Sequence, residues 1–176
     1  AWESVQTKVM VALTGAILLV IAGITFLNIR NVSQDADEDE LLALQQLNVD
    51  YNDNVELLAD GAAMLSISLA EREDIKELFL ADDRDGLLTL LTPMFENLKE
   101  NYDIRHLYVI DTQGVVYVRV HNPQKFGDDV TYRRTADSAL QTQSTVAGVE
   151  IGPSRLGIRS VSPLYDAGKF IGMVEV

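Results

Sequence analysis

The sequence predicts an α+β fold on three observations. An uncharged apolar run lies near the N-terminus. A long stretch without proline follows it, with apolar residues recurring at helical spacing. From Ile104 the period changes to that of strands, with one short helix among them. Strands joined by short turns make one antiparallel sheet, and the expected arrangement puts the helices on one side of it.

The apolar run is Val9 to Leu27, VMVALTGAILLVIAGITFL, without a charge. At about 1.5 Å per residue it covers about 28 Å, close to the hydrocarbon core of a bilayer, so residues 9–28 are expected to form a transmembrane helix in contact with lipid. A cleaved signal peptide has a shorter apolar region ending at small residues, whereas this run continues into Asn28, Ile29 and Arg30. Lys8 is the only basic residue before the span, which places residues 1–8 in the cytoplasm as an N-terminal remnant and the rest outside. The expected location is a bacterial inner membrane with a periplasmic or extracellular domain.

Residues 29–70 are expected to continue the helix as a stalk. From Asn31 to Ala70 there is no proline and one glycine, Gly61, while Leu44, Leu47, Tyr51, Val55, Leu58, Ala62, Leu65 and Leu69 recur every three or four residues. Such a stripe either packs on its own domain or forms a seam with a second copy. A homodimer through the stalk is the partner this predicts.

Residues 71–176 form the remaining module. EREDIKELFL has acidic residues in its first turn, and Asp85 can cap GLLTLLTPMFENLKENY, in which Pro93 bends or restarts the helix. ADDRDGLLTLLT resembles a calcium loop only at its centre, because Ala81 and Thr92 stand where the first and twelfth ligands belong. Strand RHLYVID, turn TQG and strand VVYVRV make a hairpin. After the loop HNPQKFGDD come a helix over TYRRTADSALQTQ and the strands STVAGVEIG, LGIRSVSPLY and KFIGMVEV, the last two joined at Asp166-Ala167-Gly168. The chain stops inside an apolar strand at Val176, so the module is expected to be truncated there.

A formal net charge of -13 argues against nucleic acid and anionic surfaces as partners, and the absence of cysteine rules out disulfides and thiolate metal sites. His106 and His121 form no H-E-x-x-H pattern, and no nucleophile-elbow, Walker or dinucleotide motif occurs. No catalytic residue, metal site or cofactor is expected.

The polar residues of the second strand are the candidate site. Strict alternation puts Val116, Val118 and Val120 on one face and Tyr117, Arg119 and His121 on the other. Arg134 on the following helix and Glu150 and Arg159 on later strands can converge with them around a concave face, as small-molecule sites require. The plain alternative is a polar row facing water. Arg119, His121, Arg133 and Arg134 cluster basic groups in an acidic chain, which suggests an anionic ligand, most simply a small carboxylate. Equally, the arginines can pair with Asp128, Asp129 and Glu150 inside the fold.

RHLYVIDTQGVVYVRVHNPQKFGDD and GVEIGPSRLGIRSVSPLYDAGKFIGMVEV resemble the extracytoplasmic Cache sensor domains, of the double Cache subgroup, found in bacterial chemoreceptors, sensor histidine kinases and diguanylate cyclases. The resemblance covers Leu41–Val176 by architecture and about Arg105–Val176 by motif, with Arg119-Val120-His121-Asn122-Pro123 and Gly127-Asp128-Asp129 its most specific part. It implies a PAS-like sheet and a ligand sensor that signals through its stalk and membrane helices. Amino-acid-binding Cache domains carry an aromatic pair soon after a helix arginine, whereas here Arg134 is followed by Thr135, Ala136 and Asp137. The alternative is a pilin-like subunit assembling through its apolar N-terminal helix.

Overall fold

The computed structural model describes residues 2–151 and 156–176, and for residues 2–4, 6 and 31–40 it describes the backbone alone. The chain divides into two compact units, Ala1–Tyr51 and Asn52–Val176. Helix α1 is Trp2–Ala70, so the predicted helical stretch over residues 29–70 is helical. Within it, Thr7–Arg30 is long and apolar enough to cross a membrane. There the Thr14 hydroxyl donates back to the carbonyl of Met10 at 2.8 Å, so this proton is satisfied within the helix.

The second unit contains the end of α1, helices α2 (Glu73–Leu80) and α3 (Arg84–Tyr102), strands β1 (Tyr108–Ile110) and β2 (Val116–Arg119), helix α4 (Arg134–Thr142), and strands β3 (Val146–Ile151), β4 (Leu156–Asp166) and β5 (Lys169–Glu175). Strand order is β2-β1-β5-β4-β3, every neighbour antiparallel. Gly152, the predicted end of STVAGVEIG, lies outside the described residues. Asp83, not Asp85, caps α3, its carboxylate accepting from the Gly86 amide at 2.8 Å, and Pro93 is accommodated inside a continuous α3. The β4–β5 turn takes positive φ at Ala167 (46°) and Gly168 (78°), the geometry that two-residue hairpin turns need to match strand twist.

The sheet is covered on both faces rather than one. Leu69, Ile75, Leu87, Leu91 and Phe95 from α1–α3 pack with Val109, Val118, Leu164 and Val174 on one side; Ala136 and Ala139 of α4 pack with Ile110, Val116, Val161 and Met173 on the other. Alternation in β1 and β5 therefore separates two apolar sets instead of an apolar from a polar one, which is why the sequence reads as one-sided. Gly172 admits helix α2 to the first face: a Cβ there would stand 2.6 Å from the Ile110 carbonyl and 2.8 Å from the Phe79 ring.

Candidate functional site

A row of side chains crosses all five strands on the α4 face. Tyr108 pairs in register with Arg119 of β2 on one side and Glu175 of β5 on the other. Arg159 of β4 and Glu150 of β3 stand opposite Gly148 and Gly157 respectively, so neither faces a side chain across that strand pair; Arg159 reaches Glu175, and Glu150 reaches Arg159. Residues near the start of α4 close the group from above.

Glu175 is the hub. It is wholly buried, and its Oε1 accepts from Arg159 Nη1 at 2.6 Å and from Arg133 Nη1. Arg159 Nε also lies 3.4 Å from Glu150 Oε2, while Glu150 Oε1 accepts from the Thr135 amide at 2.8 Å. Arg119 Nη2 donates to both oxygens of Asp128, at 2.8 and 2.7 Å. The guanidinium groups of Arg119 and Arg133 each sit 5.1 Å from the centroid of the Tyr108 ring, a cation–π arrangement that the ring's burial strengthens.

Electrostatics follow from this packing. Burial pushes the Glu175 carboxyl above its ordinary range, against the pull of Arg133 and Arg159. Burial disfavours the charge on Arg159, but Glu175 and Glu150 outweigh it and raise its pKa. Burial and then Glu175 raise the Tyr108 phenol. His121 packs edge-on to His106 at 4.6 Å and to Tyr108 at 4.8 Å, and its Nδ1 accepts from the Leu107 amide at 3.3 Å. Burial and the neighbouring His106 lower its pKa to about 4, so at neutral pH it is an uncharged acceptor.

Arg119, His121, Glu150 and Arg159 thus come together as the sequence suggests. Tyr117 does not. Val109 pairs with Val118 and Ile110 with Val116, leaving Tyr117 as the extra residue of a β-bulge. It turns to the helix face, where its ring meets Phe79 edge-on at 5.0 Å and its hydroxyl donates to Asp82 at 2.8 Å, while Val116 takes the α4 side. Burial and Asp82 push its phenol up to about 12. Arg134 is also misplaced by the sequence reading: it is exposed at the start of α4, and Arg133, one residue earlier, enters the cluster. Tyr108 and Glu175 were missed as members of the row, whereas Asp128 is the partner of Arg119 that the sequence offered as an alternative. The signal for Glu175 was its isolation, a single carboxylate between valines at the end of an apolar strand.

Five buried side-chain atoms have no hydrogen-bond partner among the described residues: Arg119 Nε, Arg133 Nε, Arg133 Nη2, Thr135 Oγ1 and Glu175 Oε2. All belong to this row or to α4 directly above it. Unsatisfied buried polar groups cost about 1–3 kcal/mol each, and these five lie in one place.

The family model for the double sensory domain of two-component sensor kinases, dCache_3, matches residues 41–176. The chain belongs to the double Cache sensory domain family. No curated protein matches the sequence. Among solved structures, the sensor domain of Escherichia coli DcuS is 20% identical with a TM-score of 0.55, over 68% of this chain and 86% of that one. The Vibrio cholerae histidine kinase DctB sensor domain is 15% identical with a TM-score of 0.58, over 78% of this chain and 55% of the other. The sensory domain of the Campylobacter jejuni chemoreceptor Tlp3, 14% identical with a TM-score of 0.50, was solved with isoleucine bound and is matched over 72% of this chain and 52% of its own. At these identities the likeness is one of fold. The chain spans about half the length of the DctB and Tlp3 domains. Cache domains are extracytoplasmic sensory modules of membrane receptors, not catalytic ones, and the pilin-like alternative has no counterpart in this family.

Proposed function

We propose that the Cache domain detects a small organic acid at the Tyr108 row and passes the change to the membrane through α1. The supporting observation is the set of unpartnered atoms: several donors on Arg119, Arg133 and Thr135 beside one acceptor on Glu175. A carboxylate would accept from the arginines, and a hydroxyl or ammonium group next to it would donate to Glu175. Tyr108, Arg119, His121, Arg133, Glu150, Arg159 and Glu175 are the proposed ligand-facing residues. In this reading residues 1–8 are cytoplasmic, residues 9–28 span the inner membrane, residues 29–70 form the stalk, and two copies associate along it. A ligand preferring one packing of sheet and stalk would shift the balance between two states.

Melting of the full chain in nanodiscs, with a panel of succinate, malate and isoleucine, tests the ligand. One acid should raise Tm, and Arg119→Ala should abolish the shift. A panel without any shift, together with equal destabilisation of the variant with and without acid, would make Arg119 a structural partner of Asp128.

A further inference from the structure

Strand β4 serves two faces at once. Arg159 points to the charged row, while the next residue, Ser160, points to α1, where its hydroxyl lies 2.8 Å from that of Ser66. Ser66 is also 2.8 Å from the Ser162 hydroxyl and 3.0 Å from the carbonyl of Ala63. All three serines are buried, within the otherwise apolar contact of Leu65 and Leu69 with the sheet.

One arrangement of the protons uses every hydroxyl. Ser66 donates to Ala63, so Ser160 and Ser162 both donate into its two lone pairs, and Thr145, 2.9 Å away, donates to Ser162. Every hydroxyl is then used, and any slide of α1 along β4 strands two of them in the core. The same rung reaches the charged row by backbone: the Ser160 amide and carbonyl exchange bonds of 3.0 and 2.9 Å with Val176, the residue after Glu175.

We propose that this hydroxyl node is the joint between the charged row and α1, with Ser66, Ser160 and Ser162 as positioning residues acting through β4. The inference rests on the row being the ligand site, but its test uses no ligand, so its failure and that of the ligand reading are distinguishable. Ser66 fixes where α1 sits, and a change in the hold of Glu175 on Arg159 reaches it across one strand.

The chain has no cysteine, so Asp60→Cys on α1 and Gln141→Cys on α4 accept spin labels at those two positions alone. Electron–electron distance measurement on the full chain in nanodiscs compares Glu175→Gln with the parent. The label separation should shift by about 1–2 Å, the size of helix displacements in signalling transitions. Adding Ser66→Ala, Ser160→Ala and Ser162→Ala together should abolish that shift. An equal shift without the node, or none with it, overturns the proposal. Should the triple variant not fold, Ser160→Ala alone removes one donor without stranding another and must at least halve the shift; Arg159→Lys replaces Glu175→Gln in the same way.

Discussion

Glu175 and Arg159 form an ion pair of 2.6 Å in which the carboxylate has no exposed surface. Removing the acid leaves Arg133 and Arg159 without their shared acceptor in a desolvated place. Glu175→Ala should therefore lower stability by about 3–5 kcal/mol, measured by urea unfolding. Glu175→Gln, which keeps one acceptor oxygen, should lose less. Equal losses for the two variants would show that shape rather than charge is what the arginines need.

His121 gives the fold a defined response to acid. Its folded pKa of about 4 lies below the ordinary 6.5, so between those values the unfolded chain binds the extra proton. The stability His121 contributes is complete above about pH 6.5 and is lost as pH falls toward about 4. Unfolding midpoints measured across that window should decline, and His121→Phe should flatten the decline. A slope identical in the variant would place the titration elsewhere.

Tyr117 tests the bulge. Tyr117→Phe removes the exposed hydrogen bond to Asp82 and should cost about 1 kcal/mol or less. Any acid-induced rise in Tm should survive in Tyr117→Phe and vanish in Arg119→Ala. Loss of the response in both would place Tyr117 among the proposed ligand-facing residues.

Gly61 lies inside α1, and among the described residues no group beyond its own helical turn comes within 4 Å of where its Cβ would be. Gly61→Ala should therefore raise stability by about 0.5–1 kcal/mol through helix propensity alone. Leu58→Pro in the same helix should cost about 3 kcal/mol or more and reduce the far-ultraviolet helical signal. Circular dichroism of the two variants against the parent checks both signs.

The elements themselves were legible because each left a local pattern: the uncharged run, the helical stripe, and five strands separated by Gly, Asp and Asn turns. Arg119, Glu150 and Arg159 were legible as polar residues on apolar strands. Tyr117 was not, because a bulge is a property of the pairing with β1 and adds one ordinary residue to β2. Arg133 and Arg134 look alike in sequence; Arg133 is the extended residue before the helix and points down, and Arg134 is the first helical residue and points out. Glu175 was hidden by its setting, since an apolar strand of that kind predicts a core rung. Only the register with Tyr108 reveals that this rung carries charge.

The extra residue at Tyr117 also limits how ligand preference can be moved between domains of this architecture. If the bulge is closed up with every residue kept, Val116 and Arg119 can no longer share a side, so copying side chains position by position from an unbulged strand would deliver a helix-facing residue to the α4 face. A transplant of specificity into this chain has to take β2 and its partner strand as one piece.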